Sequence, residues 1–440
     1  MVTQTHSKQF AVLHAEGNMK KLKKLLRRIG PGFITGAADD DPAGIGTYSQ
    51  SGAQFGYREL WTAPFSLPFM IAVQEMCGRI GLVTGKGLAG VMKHHYPKWI
   101  LYVCVFLLVL ANTINIGADL GAMAASAKLI VDVPFYLLLI GFTALVIALE
   151  VFVSYEKYAS YLKFLTFSLF AYVITVFLVR QDWSEIFFST ISPTFSLNNQ
   201  VVMNIVAILG TTISPYLFFW QASEEVEEEV EHGRLKMMGK GIPRVFKKDI
   251  RDLRIDTVFG MFFSNIVMFF IMVTSASTLH QNGITSITTA DQAARALRPL
   301  AGDYAFFLFA LGILGTGLLA IPVLAGASSY AISEVFGWKE GLYQKFHSAR
   351  KFYGVIISAT LVGFIVNLTP IEPFQMLYYS AVVNGMIAPV LLILILFVAN
   401  NRKIMGSHTN SLTSNVLGIT ITIFMLAASL ILLPFLLSNL

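Results

Sequence analysis

Charge is scarce in this chain of 440 residues: Asp, Glu, Lys and Arg make up 13% of it, against 55% hydrophobic residues. A soluble domain carries about a quarter charged residues, so the composition excludes one and reads as a polytopic membrane protein. Cysteine is scarcer still. Cys77 and Cys104 both fall inside apolar segments, which excludes a disulfide framework or Cys-based metal spacing and leaves two inert buried thiols. His94 and His95 stand together with no third ligand nearby and read as surface residues rather than a metal site. No pairing of nucleophile and base stands out, which leaves an intramembrane enzyme the least supported class. A membrane sensor that binds without transporting would usually carry an added soluble domain. The longest stretch expected outside the membrane is only the loop at 224–254.

What the chain does have is a series of apolar runs near the twenty residues needed to cross about 30 Å of hydrocarbon. Eleven candidate spans lie near 31–55, 59–80, 99–127, 134–153, 159–179, 200–223, 255–279, 304–333, 353–370, 374–399 and 414–437. Residues 1–30 carry seven Lys and Arg between Lys8 and Arg28 but no compact apolar core with a small-residue cleavage site. They read as a retained cytoplasmic arm rather than a signal peptide. With that arm inside, 26 of the 32 Lys and Arg fall on the cytoplasmic side, 5 outside, and Lys163 within the fifth span. The bias places the N-terminus inside and the C-terminus outside, and attributes the net charge of +6 to topology rather than to nucleic-acid binding.

Two of the apolar runs are interrupted. Ala37-Ala38-Asp39-Asp40-Asp41-Pro42-Ala43-Gly44 and Thr211-Thr212-Ile213-Ser214-Pro215-Tyr216 each place a proline in hydrophobic surroundings. A proline removes a donor and clashes with the preceding turn. In lipid, freed backbone groups are tolerated only inside protein or along a wet cavity. Spans one to five begin with the first break and spans six to ten with the second, and an odd number of crossings inverts the second half. Breaks in corresponding positions of two inverted halves point to a transporter site at the bilayer midplane.

An ionised carboxylate in a membrane costs roughly 2.5–3.5 kcal/mol on insertion scales, so three in a row need a cation, a partner or water. Asp41, before Pro42 and close to Gly44, where the backbone can approach a ligand, is the principal candidate. Helical spacing keeps Asp39, Asp40 and Asp41 from all facing one ion, so Asp39 or Asp40 is expected to line the access path or to pair with a basic group elsewhere, contact of either with the ion being the third option. Thr211, Thr212 and Ser214 offer hydroxyls, either to an ion or back to their own helix. Oxygen donors with one carboxylate suit hard cations such as Mg²⁺, Ca²⁺ or Mn²⁺. Asp119, with Asn112 and Asn115, belongs either to an ion route or to structural pairing. Asn384 either faces the cavity or bonds a neighbouring helix. Glu75 and Arg79, four apart, are assigned to each other. The Glu-rich run from Glu224 to Glu231 reads as a charged cytoplasmic helix extension with i,i+4 pairs, or else as a recruiter of cations to the inner mouth.

Gly30-Pro31-Gly32-Phe33, the Asp41-Pro42 break, Gly52-Ala53-Gln54-Phe55-Gly56-Tyr57 and Arg79-Ile80-Gly81-Leu82-Val83-Thr84-Gly85-Lys86 resemble, in order, the first two membrane segments of the Nramp family. The likeness is dense over 30–90 and resumes from Gly210 to Ala222. It implies a divalent-metal transporter with the LeuT-type fold. It also implies metal ligands from an Asp-Pro-Gly-Asn motif, and from a carbonyl and a Met in a later motif ending Met-Pro-His. Carried over, Asp41 matches the Asp, Ala43 the Gly, and Gly44 the Asn. Thr211 falls at the carbonyl position, Ser214 at the Met and Tyr216 at the His. Gln221 stands for a second histidine, Asp119 matches the first of a pair of acids, and Ala122 replaces the other. Loss of the thioether removes the soft ligand that favours transition metals. Loss of the histidines and one acid removes groups that titrate near neutral pH, so metal movement is expected to carry little H⁺.

The sequence thus reads as an all-α polytopic protein of about eleven transmembrane helices with a LeuT-type 5+5 inverted repeat. A basic arm spans 1–30, the repeats 31–179 and 200–399, and an additional helix 413–440. The expected function is movement of a hard divalent cation by alternating access, in the plasma (inner) membrane. Asp41, Gly44, Thr211 and Ser214 would hold the metal, and Asp39, Asp40, Asp119, Thr212, Tyr216, Gln221 and Asn384 would line its path. The cation is substrate, no cofactor is implied, and the lipid bilayer is the other partner. The nearest rival keeps the fold but carries a small organic solute with Na⁺ or H⁺.

Overall fold

The computed structural model describes residues 30–153, 168–194, 196 and 198–438. The basic arm, Lys157, Lys163 and residues 159–167 of the expected fifth span lie outside the described residues. Within them the secondary structure is helical, apart from an isolated bridge between Met237 and Lys240. The helices of eight residues or more are α1 (Pro31–Asp39), α2 (Pro42–Phe55), α3 (Thr62–Thr84), α4 (Leu88–His95), α5 (Lys98–Lys128), α6 (Phe135–Phe152), α7 (Phe170–Leu178) and α8 (Trp183–Ile191). They continue as α9 (Asn199–Thr212), α10 (Pro215–Glu231), α11 (Lys247–Thr278), α12 (Ala305–Phe336), α13 (Arg350–Val366), α14 (Pro373–Asn400) and α15 (Leu412–Ser438).

Seven helical stretches among the described residues are long and apolar enough to cross a bilayer. The other expected spans differ for separate reasons. Residues 31–55 divide into α1 and α2, α3 carries Gln74, Glu75 and Arg79, and α13 has 17 residues. Proline alone does not decide where a helix ends. Pro68, Pro322, Pro389 and Pro434 all sit inside unbroken helices. Pro42 and Pro215 instead occupy the first turn of a new helix, where the missing N–H costs nothing and the fixed φ is already helical.

Close packing sets the two broken pairs in the centre. On α1, Gly32 and Gly36 lie four apart and face the backbone of α11 at Thr257 and Gly260, so that a Cβ at Gly36 would fall onto Gly260. Such small-residue pairs let membrane helices approach backbone to backbone. Asp256, one turn before Gly260, accepts the N–H groups of Gly30 at 3.0 Å and Gly32 at 2.6 Å, satisfying orphan donors at the start of α1. On the other side Gly210 of α9 abuts Ala381 and Gly385 of α14. The helices α5, α12 and α14 pack together around these pairs.

The loop expected at 224–254 is helical at both ends: α10 runs on to Glu231 and α11 begins at Lys247. Its Glu run does extend the helix, but the expected pattern of i,i+4 pairs needs correction. Glu225, Glu227 and Glu229 are buried, because α10 continues in contact with α3 and α12. Glu227 accepts from the Tyr330 hydroxyl at 2.5 Å and from the Leu342 N–H, and Glu229 pairs with Arg234 at 2.8 Å. An i,i+4 ion pair within the run is His232 with Glu228, at 3.9 Å.

Candidate functional site

At the first break α1 stops at Asp39, and Asp40 (φ −85°, ψ 47°) and Asp41 (φ −67°, ψ 170°) are non-helical. Asp41 is the N-cap of α2, its Oδ1 accepting the Gly44 N–H at 2.6 Å. A carboxylate there satisfies an orphan donor and faces the positive end of the helix dipole. The second break has the same form, with Ile213 and Ser214 non-helical between Thr212 and Pro215.

The two breaks meet. Tyr216 Oη, from the first turn of α10, donates to the Ala38 carbonyl at 3.0 Å and lies 3.4 Å from Asp41 Oδ2. From α5, Asn115 Nδ2 donates to Asp41 Oδ2 at 2.9 Å and lies 3.4 Å from Asp119 Oδ2. Asn384 Nδ2 of α14 lies 3.3 Å from Asn115 Oδ1. Asn115 therefore joins Asp41, Asp119 and Asn384 into one buried network. Asp119 Oδ1 and Asn384 Oδ1 are buried in it without a hydrogen-bond partner. Thr211 Oγ1 lies 3.2 Å from the Tyr48 hydroxyl, which brings α9 against α2.

The hydroxyls of the second break largely bond their own helix. Thr211 and Thr212 each donate to the Ile208 carbonyl at 2.9 Å. Ser214 Oγ lies 2.5 Å from the Gly210 carbonyl and 2.7 Å from that of Thr211. Their oxygens remain available as acceptors, but their hydrogens are committed. Gln221 is further along α10 and belongs to an inner chain, in which Thr35 donates to its Oε1 at 2.6 Å and its Nε2 donates to Glu225 at 2.9 Å.

Among the described residues Asp39 and Asp40 do not find the basic partner that was one expectation for them. Their contact is Ser264 of α11, whose Oγ is 2.5 Å from Asp39 Oδ2 and 3.2 Å from Asp40 Oδ1. Among the described residues no three His, Cys, Asp or Glu side chains are grouped to hold a metal ion by themselves. A cation here has to take neutral oxygens as well as carboxylates, which is the donor set of hard ions.

Sequence reasoning overlooked Ser264, Asp256 and Tyr48. The signal for the first two was present as Asp256, Gly260 and Ser264 at intervals of four, one face of one helix. Elsewhere the expected Glu75–Arg79 pair forms at 3.1 Å, joined by Arg254 at 3.0 Å from Glu75. Asn112 donates to the Leu324 carbonyl at 2.9 Å, a helix-to-helix bond. Cys77 and Cys104 are buried and free, and His94 and His95 are exposed at the end of α4.

A family model described as natural resistance-associated macrophage protein-like, Nramp, matches residues 32–434. The divalent metal cation transporter MntH of Caldanaerobacter subterraneus subsp. tengcongensis is 24% identical over 417 residues, covering 92% of each chain. The protein of the same name from Klebsiella pneumoniae subsp. pneumoniae is 27% identical over 397 residues, covering 88% of this chain and 89% of that one. Among solved structures, the Eremococcus coleocola manganese transporter in complex with an aromatic bis-isothiourea substituted compound superposes with a TM-score of 0.72. It is 17% identical, and the match covers 93% of this chain and 86% of that one. That likeness establishes the shared fold, which is the LeuT-type membrane architecture. With a family match that runs nearly end to end, the chain belongs to the Nramp family.

Proposed function

We propose that this chain moves a hard divalent cation, of the Mg²⁺ or Mn²⁺ type, across the membrane by alternating access, with Asp41 as the principal ligand. The observation that carries the reading is the meeting of the two breaks at Asp41, where a buried carboxylate, the Tyr216 hydroxyl and the Ala38 carbonyl converge. Asp41 supplies the fixed charge. Neutral oxygens from the backbone and hydroxyls of residues 211–214 complete the shell, Asp119 adds a second carboxylate, and the Asn115 amide holds Asp41 in place. Gly44 keeps the backbone of α2 open to the ion.

In the described arrangement Asp41 and Tyr216 are buried, and Tyr216 ties α10 to the end of α1. Rocking of one helix bundle against the rest would break that tie and open the site to each side in turn, the two five-helix repeats being 31–179 and, inverted, 200–399. Residues 413–440 stand outside the repeat. The proposed orientation puts the N-terminus in the cytoplasm and the C-terminus outside, across the plasma membrane.

Calorimetric titration of the purified chain with Mg²⁺, Mn²⁺ and Ca²⁺, beside small organic solutes, tests the cargo. Saturable heats with the cations alone are expected. Binding of an organic solute without any response to the metals would replace this function with that of a solute symporter.

A further inference from the structure

We propose that Asp39, Asp40 and Ser264 form a second divalent-cation subsite, next to the Asp41 site and at the α1 end of the first break. The proposal rests on the transport reading of Asp41 and adds to it a separate ligand set.

The three consecutive carboxylates are not treated alike by the fold. Asp41 is compensated: it accepts from Gly44 and Asn115 and sits at the positive end of α2. Asp39 and Asp40 sit instead at the C-terminal end of α1, where the unpaired carbonyls already carry partial negative charge. Ser264 has one hydroxyl hydrogen for the two of them. Asp39 Oδ1 and Asp40 Oδ2 are fully buried and have no hydrogen-bond partner. No Lys, Arg or His among the described residues forms an ion pair with either. Buried charge left in that state is strongly unfavourable unless a proton or a cation neutralises it.

Ser264 holds one oxygen of each carboxylate within hydrogen-bond distance of a single point. Oxygens bound to one octahedral cation at 2.0–2.1 Å lie about 3.0 Å apart along each edge. The Ser264 oxygen is 2.5 Å and 3.2 Å from the two carboxylate oxygens it faces. Two carboxylates and a hydroxyl bring a charge of −2 and hard donors, matched to a divalent ion rather than to a soft or monovalent one. The helix contact fixes this geometry. Gly36 of α1 presses on Gly260 of α11, so the residues one turn further along each helix, Asp39 and Asp40 on one and Ser264 on the other, are brought face to face.

The test is equilibrium dialysis of the full chain in lipid nanodiscs against Mn²⁺, with bound metal counted per chain for wild type, D41N, D39N/D40N and S264A. Two ions per wild-type chain, one in D39N/D40N and one in D41N are expected, with S264A weakening a single site by tenfold or more. An equal count and affinities within threefold in wild type and D39N/D40N would overturn the subsite, whatever D41N does. Two ions retained in D41N would instead remove the Asp41 reading. Should D39N/D40N fail to fold, S264A decides by itself, since an unchanged binding curve in that variant also overturns the subsite.

Discussion

Replacing Asp41 by asparagine separates the two roles that the fold gives this residue. As an N-cap, Asn is about as good as Asp, whereas Ala costs about 1 kcal/mol. The Asn carbonyl oxygen can keep the Gly44 N–H bond now made by Oδ1 at 2.6 Å, so the start of α2 survives. The charge does not. Oδ2 now accepts from Asn115 at 2.9 Å and lies 3.4 Å from the Tyr216 oxygen, and an amide NH₂ in its place sets a donor against the Asn115 donor. Removing one partner of a buried charge pair costs about 3–5 kcal/mol. At 1.4 kcal/mol per factor of ten, cation affinity should fall by roughly a hundred- to a few thousand-fold. Mn²⁺ uptake into proteoliposomes, read with an internal metal-quenched dye, should be lost at concentrations that saturate wild type. Uptake and half-saturation within threefold of wild type would refute the assignment of the charge to Asp41.

Further outcomes follow from the same geometry. Tyr216→Phe removes the hydroxyl that holds the Ala38 carbonyl at 3.0 Å; leaving that acceptor unpaired costs about 1–3 kcal/mol, so the variant should melt lower and exchange cation faster, and an unchanged melting curve would contradict the tie. Ser214→Met should raise the preference for Cd²⁺ or Mn²⁺ over Mg²⁺ in competition uptake by adding a soft donor, whereas a constant ratio would show that residue 214 does not face the ion. Metal uptake should carry little H⁺, and a pH-sensitive dye reporting stoichiometric acidification would reverse that expectation. Glu340, in the loop after α12, has its carboxyl pushed from 4.5 up to about 10 by burial and then by the charges of Glu334 and Glu227. The folded state then holds a proton that the unfolded chain releases, so this residue's contribution to stability falls as pH rises from about 4.5 toward 10. Glu340→Gln should therefore gain in melting temperature over wild type between pH 5 and pH 9, and a gap independent of pH would rule this out.

Much of the fold was legible because membrane physics leaves the chain few options. Apolar runs of spanning length and the placing of Lys and Arg are properties of composition along the chain, and they outlined most of the helices. The two breaks were legible for the same reason, since three aspartates and a proline have no place in a continuous lipid-facing helix. Partners contributed by other helices were not legible. Ser264 looks like any small residue of a membrane helix until α11 is laid against α1, and Asn115 gains its role only when α14 brings Asn384 beside it. The Glu run on α10 misled because a run of like charge usually marks a solvated face, whereas here Tyr330, Leu342 and Arg234 cover it. The resemblance on residues 30–90 identified the family, while the departures at Gly44, Ser214 and Tyr216 are where the chemistry has to be worked out from this chain alone.

The most direct measurement is a diffraction experiment on crystals soaked in Mn²⁺, with data collected at the manganese edge. The account predicts an anomalous peak within bonding distance of an Asp41 oxygen and facing residues 211–214. A peak at the protein surface only, with none between the two helix breaks, would contradict it.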